Sequence, residues 1–181
     1  AQVMQDVGLP PIIKLARALG IRDSKLEKVP SLALGTSPVT LLEMVNAYAS
    51  IAAQGEARMS FVVTHITGRE GKIIARFGDD KPQRAMQAES AATLTDMMRG
   101  VIDRGTGTAI RSRFGIRSDV AGKSGTTQNN ADGWFILMHP ELVGGAWVGF
   151  NDARVTMRSN YWGQGGHNAV LVVGDFFKTA L

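Results

Sequence analysis

Three short apolar segments, each interrupted by glycine, lie in the second half of the chain and restrict its fold more than any other feature. They span residues 120–125, 133–138 and 145–150. Turn-forming residues separate them, Asn129-Asn130 in the first gap and His139-Pro140 in the second. Connections this short join strands that run in opposite directions, so the pattern predicts three neighbouring antiparallel strands.

The first 55 residues show helical periodicity instead. Apolar side chains recur at helical spacing from Ile12 to Leu19, behind a Pro10-Pro11 pair that suits a first turn. Gly20 follows directly, where a glycine commonly ends a helix. The sequence therefore predicts a helix that ends at Gly20.

A second helix is predicted over residues 41–51, which are also apolar at helical spacing. Either Thr36 or Ser37 suits its N-cap, with Pro38 as the first helical residue.

A strand pair and two more helices complete the pattern. Residues 61–66 and 72–77 are rich in β-branched and apolar side chains and flank a glycine-containing turn, which predicts a hairpin. Helical spacing returns over residues 91–102, and the apolar residues 169–181 predict a last helix. This order is typical of an α+β fold with an antiparallel sheet flanked by helices.

Composition argues against several classes of function. Hydrophobic residues make up 44% and charged residues 20%, as in globular proteins. The net charge is +4, but lysine and arginine are scattered without a run of four, which argues against nucleic-acid binding. The absence of cysteine excludes disulfides and cysteine-ligated metals, and the three histidines lack metal-ligand spacing. The chain begins at Ala1 without an initiator methionine or a leader pattern, so we expect it to be an internal piece of a longer protein.

Residues 122–127, Gly-Lys-Ser-Gly-Thr-Thr, carry the strongest chemical signal. An ammonium group, three hydroxyls and glycines with no side chain to block a ligand lie together at one strand end. Such a strand suits an extended anionic ligand, held along the backbone with its carboxylate on the lysine and the hydroxyls.

Two other interpretations of this segment compete with the first. A phosphate-binding loop requires glycine five positions before Gly122, where Arg117 stands, and a helix after the lysine rather than a strand. The segment taken alone is equally compatible with a glycine-rich turn that exposes Lys123.

The surrounding residues resemble a known family. The matching segments flank residues 122–127 in the same order along nearly the whole chain: residues 32–36, 39–40, 47–49 and 104–109, then Asn129, Asn130, Asp132, Trp134, Phe135, residues 147–149 and Asp152. This arrangement resembles the class A penicillin-binding proteins, which are bifunctional murein synthases. Their third active-site motif is Lys-Thr/Ser-Gly.

The resemblance implies a fold, a reaction and a cellular setting. The fold would be that of penicillin-binding proteins and serine β-lactamases, with residues 1–181 as the C-terminal part of one transpeptidase domain. The reaction would cross-link peptidoglycan by transferring an acyl group from a D-alanyl-D-alanine stem peptide, through a serine ester, to an amine of a neighbouring stem. β-Lactams would enter the same route, and no cofactor is expected. The setting would be extracytoplasmic, in a membrane-anchored protein that also carries a glycosyltransferase domain.

The resemblance also implies roles for individual residues. Lys123 would be catalytic, because its charge favours proton shuttling and attracts the substrate carboxylate. Ser124 and Thr126 would bind that carboxylate, and the N–H of Thr126 would also serve catalysis as half of the oxyanion hole. Gly125 would let the substrate backbone approach. For Thr127 both a ligand contact and a role in the turn stay open.

The chain departs from the family pattern in two respects. No serine is followed three residues later by lysine, and no Ser-x-Asn is present, so the family's first two motifs are missing. We expect both on an N-terminal part of the same domain, which would act as a partner, and we expect this chain alone to be inactive. Ser124 also replaces the commoner threonine.

Two alternatives remain within the same fold. A serine β-lactamase or D,D-carboxypeptidase would share the Lys-Thr/Ser-Gly strand but use water as the acyl acceptor. A non-catalytic penicillin-binding-like sensor is less compatible with the intact Lys123-Ser124-Gly125-Thr126.

Other notable residues are expected to be structural. Trp134, Phe135 and Trp147 lie in apolar strands and are expected to pack in the core. Asp132 is expected to support a turn, and residues 163–166 are expected to form a loop.

Overall fold

The computed structural model describes residues 2–78, 81–152 and 154–181. Its α-helices are α1 Gln2–Val7, α2 Leu9–Leu19, α3 Leu41–Ala52, α4 Ala88–Arg104, α5 Ala109–Ser112 and α6 Ala169–Ala180. Its strands are β1 Glu56–Ala57, β2 His65–Thr67, β3 Ile73–Arg76, β4 Gln83–Arg84, β5 Ala121–Thr126, β6 Asp132–His139 and β7 Leu142–Gly149. Two short 3-10 helices span Pro30–Leu34 and Gln128–Asn130.

The main sheet consists of three antiparallel strands in the order β5-β6-β7. Gly125 of β5 pairs with Trp134 of β6, which in turn pairs with Trp147 of β7. The predicted antiparallel meander and the α+β class are therefore confirmed. Two smaller two-stranded ladders, β1 with β4 and β2 with β3, lie elsewhere in the described residues.

Helices cover both faces of the main sheet. On one face, Val170 and Phe177 of α6 belong to the same buried cluster as Phe135. On the other face, Ile51 of α3 and Met98 of α4 pack with Met138. Because both faces are covered, the middle of β6 is a continuous apolar run rather than an alternating one.

The start of α3 corrects one prediction. The N-cap is Thr40, not Thr36 or Ser37, and Pro38 precedes the helix instead of beginning it. The hydroxyl of Thr40 accepts a hydrogen bond from the Glu43 N–H at 3.2 Å, and the Glu43 carboxylate accepts one from the Thr40 N–H at 3.3 Å. This reciprocal pair is a capping box, and its Thr-x-x-Glu pattern is visible in the sequence.

The other predicted helices are confirmed. The first, α2, ends at Gly20, whose N–H bonds the carbonyls of Ala16 and Arg17. The predicted hairpin is present but shorter than expected, with β2 and β3 joined by a tight turn at residues 68–71 and a bulge after Ile66. Its strands lie largely in solvent. Among the described residues, no helix combines the length and apolarity needed to cross a bilayer.

Candidate active site

Strand β5 forms one edge of the main sheet, and its exposure rises along its length. Ala121 and Gly122 are buried, whereas Lys123 and Thr126 are exposed. At its start, β5 is tied to α4, because the guanidinium of Arg99 makes two hydrogen bonds of 2.7 and 2.8 Å to the carboxylate of Asp119. These hydrogen bonds hold the pKa of Asp119 below its ordinary value. The strand thus begins in the core and reaches the surface from Lys123 onward.

Lys123 is the first exposed residue of β5. Its Nζ donates a 2.7 Å hydrogen bond to the carbonyl of Ser124. No ion pair within residues 2–78, 81–152 and 154–181 involves Lys123. The ammonium group has two further hydrogen atoms and no carboxylate partner among these residues, so it can bind an anionic ligand.

Ser124 is half-buried and contacts a residue that the sequence did not single out as functional. Its Oγ lies 2.6 Å from Oγ1 of Thr106, which belongs to the loop between α4 and α5. The sequence marked residues 104–109 only as part of a family resemblance, and a lone threonine in a loop has no periodic signal. The pairing could not be read from the chain alone.

Gly125 packs its backbone against Trp134. A Cβ placed on Gly125 would lie 3.2 Å from the Trp134 Cβ, a tight contact. The glycine therefore leaves β5 without a side chain at this position, beside the exposed ammonium of Lys123 and the hydroxyl of Thr126.

Thr126 is connected to a remote loop. Its Oγ1 accepts a hydrogen bond of 3.1 Å from the N–H of Gly165. A Cβ on Gly165 would lie 2.3 Å from the Gly125 carbonyl oxygen and 2.2 Å from that of Trp134. Residues 163–166 form the expected loop, and the structure packs it onto the C-terminal end of β5.

Thr127 serves the turn after β5. Its Oγ1 accepts a 2.8 Å hydrogen bond from the Asp132 N–H and lies 3.2 Å from Asp132 Oδ2. The other carboxylate oxygen of Asp132 accepts a 2.7 Å hydrogen bond from Trp147 Nε1. Asp132 therefore supports the turn as predicted. The Thr127 hydroxyl bonds within the same turn, which is one of the two roles left open for it.

The aromatic residues of the sheet divide between core and surface. Phe135 is completely buried, as predicted, and Trp134 is half-buried. The prediction of core packing is wrong for Trp147, which lies exposed on the edge strand β7 and donates its indole N–H to Asp132 at the start of β6. An indole that reaches a carboxylate satisfies its polar atom without burial.

The loop beside β5 carries an exposed aromatic group. The ring of Tyr161 stacks on His167 with centroids 3.9 Å apart and meets Trp162 edge to face at 5.0 Å. Across the described parts of the chain, no cluster of histidine, aspartate and glutamate is arranged to hold a metal ion. The site is therefore composed of an ammonium group, hydroxyls and backbone, which are suited to binding a carboxylate.

Comparisons with known proteins agree with this geometry. Residues 16–143 match the model of the penicillin binding protein transpeptidase domain. The chain is 32% identical to penicillin-binding protein 1A of Neisseria lactamica, over 99% of its own length and 22% of that protein. It is 34% identical to penicillin-binding protein 2D of Bacillus subtilis, over 80% of its length and 21% of that protein. The chain thus spans about a fifth of the length of these curated relatives.

Solved structures show the same fold. Penicillin-binding protein 1A from Haemophilus influenzae superposes with a TM-score of 0.87 at 22% identity, over 99% of this chain and 32% of that one. PonA1 from Mycobacterium tuberculosis, solved in complex with penicillin V, superposes with a TM-score of 0.82 at 20% identity, over 99% of this chain and 52% of that one. The superpositions show the fold, and the match over residues 16–143 shows that the chain belongs to the penicillin-binding protein transpeptidase family.

Proposed function

We propose that the complete protein cross-links peptidoglycan as a D,D-transpeptidase and that this chain supplies the strand along which the substrate lies. The observation that carries the proposal is the part of β5 from Lys123 to Thr126, an edge strand with an exposed ammonium group, a glycine and an exposed hydroxyl. The family match and the penicillin V complex of PonA1 support a substrate of the D-alanyl-D-alanine type and its β-lactam analogues.

Each residue of β5 has a separate role in this proposal. Lys123 attracts the terminal carboxylate and favours proton transfer at a neighbouring hydroxyl. Ser124 and Thr126 donate hydrogen bonds to the carboxylate, and Gly125 lets the stem peptide approach the backbone. The N–H of Thr126 stabilises the oxyanion that forms during acyl transfer, a contribution worth about 10²–10³ in rate for one donor. A binding role for Thr127 stays a prediction, since its hydroxyl bonds Asp132.

The nucleophile is proposed to lie outside these residues. No serine here is followed by lysine at the spacing of the family's first motif, and the chain spans about a fifth of its relatives. We assign residues 1–181 to the C-terminal part of one transpeptidase domain, completed by an N-terminal part that carries the two missing motifs. The complete protein would act on the outer side of the cytoplasmic membrane, where its stem-peptide substrate is found.

Covalent labelling with a fluorescent penicillin tests this proposal. The complete protein should become labelled, and the 181-residue chain alone should not. Lys123→Ala in the complete protein should slow labelling by about 10²-fold or more. Lys72→Ala, an exposed lysine between β2 and β3, is the matched control and should label normally.

Three outcomes would contradict the proposal in different ways. Labelling of the isolated chain would place a nucleophile within it. An equal labelling rate for Lys123→Ala and Lys72→Ala would remove Lys123 from the site. Rapid hydrolysis of the penicillin, without cross-linking of stem peptides, would favour the β-lactamase or D,D-carboxypeptidase alternative with water as the acceptor.

A further inference from the structure

Thr106 lies outside β5 and makes the shortest hydrogen bond that links a side chain of this strand to the rest of the described residues. Its Oγ1 lies 2.6 Å from Oγ of Ser124, although 18 residues separate the two in the chain. This distance lies within the usual range for a hydrogen bond between two hydroxyls. Nothing in the proposed function assigns a role to Thr106.

Backbone hydrogen bonds to the last turns of α4 fix the position of Thr106. The N–H groups of Gly105 and Gly107 both bond the carbonyl of Val101, at 3.2 and 2.9 Å. A Cβ on Gly107 would lie 2.8 Å from the Ile102 side chain, so this glycine lies directly against the core.

The loop of residues 163–166 also packs against Thr106. A Cβ on Gly166 would lie 2.7 Å from the carbonyl oxygen of Thr106. The loop that carries Gly166 also bonds Thr126 through Gly165. The backbone of Thr106 is therefore held between the end of α4 and the loop beside β5, and its hydroxyl contacts Ser124.

The hydrogen atoms of the two hydroxyls determine what the pair can do. Thr106 and Ser124 have one hydroxyl hydrogen each, and their mutual hydrogen bond uses one of them. When Thr106 donates inside the pair, Ser124 keeps its hydrogen and can donate it to a ligand, whereas a Ser124 that donates to Thr106 has no hydrogen left. The carboxylate contact proposed for Ser124 therefore requires Thr106 to be the donor, and this hydrogen bond limits the rotation of the Ser124 hydroxyl.

We infer that Thr106 is a positioning residue for the carboxylate of the substrate, acting through the hydroxyl of Ser124. This inference rests on the proposed function, in which Ser124 binds that carboxylate. Thr106 holds the Ser124 hydroxyl in one orientation before the ligand arrives. A donor that is already oriented loses less freedom on binding, so binding is stronger.

The test measures acylation of the complete protein by two probes, benzylpenicillin and its methyl ester, which lacks the charged carboxylate. Thr106→Val removes the hydroxyl and keeps the shape. It should lower the second-order acylation rate for benzylpenicillin by about five- to tenfold, the loss of roughly one hydrogen bond. It should leave the rate for the ester unchanged. Thr106→Ser retains the hydroxyl and should restore most of the rate for benzylpenicillin.

A double-mutant cycle tests the coupling between the two hydroxyls. In a Ser124→Ala background, Thr106→Val should have no further effect, because the residue through which it acts is absent. If Thr106→Val melts at a much lower temperature than the parent protein, Thr106→Ala takes its place, since it removes the same hydroxyl without adding an apolar group to an exposed position.

The outcomes separate this inference from the proposed function. Equal losses for both probes, or additive losses in the double mutant, would overturn the positioning role. A loss for Ser124→Ala with none for Thr106→Val would overturn only the role of Thr106. An unchanged rate for Ser124→Ala would overturn the carboxylate site of the proposed function itself.

Discussion

The N–H of Gly165 lies 3.1 Å from the hydroxyl oxygen of Thr126 and donates a hydrogen bond to it, although 39 residues separate the two. The contact brings the loop before α6 onto the last residue of β5. The C-terminal end of the candidate strand is therefore held from outside the sheet as well as by its partner strand.

Gly165→Ala should disrupt this contact. The added Cβ would meet the carbonyl oxygens of Trp134 and Gly125 at 2.2 and 2.3 Å, and backbone atoms cannot move aside as a flexible side chain can. We expect the free energy of unfolding to fall by about 1–3 kcal/mol, as for other overpacked sites. Acylation of the complete protein by penicillin should slow at the same time.

The control for Gly165→Ala is Gly100→Ala in α4, where the new Cβ would meet only the flexible end of Arg104. Alanine favours the helix over glycine, so this variant should be neutral or stabilising. Urea unfolding followed by tryptophan fluorescence compares the two. Equal midpoints for both variants would mean that the loop does not pack on β5 as described.

Gly125→Val should block the approach of a ligand to β5. Two methyl groups on an edge strand would occupy the space beside the backbone, and we expect acylation by penicillin to slow by about tenfold or more. Because a Cβ here lies 3.2 Å from the Trp134 Cβ, a small loss of stability should accompany the change. Gly125→Ala is the matched variant and should share the loss of stability but retain more of the acylation rate. A normal acylation rate for Gly125→Val would contradict the assignment of this strand to the substrate.

Thr127→Val should loosen the turn between β5 and β6. It removes the hydroxyl that bonds the Asp132 N–H at 2.8 Å, and a lost hydrogen bond of this kind costs about 1 kcal/mol. Thr127→Ser should retain nearly all of the stability because it keeps the hydroxyl. Urea midpoints measure both. If Thr127→Val instead abolished penicillin acylation without changing stability, Thr127 would act on the ligand rather than on the turn.

Glu43 should make stability depend on pH. Its side chain is buried, which raises the pKa of the carboxyl, but hydrogen bonds from Ser24, Asp23 and Thr40 outweigh this effect and lower the pKa from 4.5 to about 2. The carboxylate therefore stabilises the fold fully above pH 4.5. That contribution is lost as the pH falls from there through about 2, and it amounts to roughly 3 kcal/mol.

Glu43→Gln tests this dependence. The variant should be less stable than the parent protein at pH 7, and the difference should shrink steadily below pH 4.5. Urea unfolding at a series of pH values from 7 to 2 measures it. A difference that stays constant over this range would show that the charge of Glu43 does not contribute.

The contribution of sequence reasoning differs between elements. Strands β5 to β7 and helices α2, α4 and α6 follow from hydrophobic periodicity, because burying one face or both faces of an element imposes a repeat on its apolar residues. The sequence analysis places the N-cap of α3 too early although the Thr40 to Glu43 pattern is present, since Pro38 offers a competing start signal. The sequence predicts core packing for Trp147 because periodicity cannot show that a tryptophan at a sheet edge will donate its N–H to Asp132.

By itself, the sequence determined the longer helices and strands, their order, the family and the strand that carries Lys123, because each of these depends on patterns that can be read along the chain. Only the tertiary structure decided that Thr106 meets Ser124, that Gly165 bonds Thr126 and that the Thr127 hydroxyl bonds Asp132 within the turn. The first two contacts join residues 18 and 39 positions apart. Such contacts depend on the path of loops over the sheet, and single hydroxyls and glycines leave no periodic trace of that path in the chain.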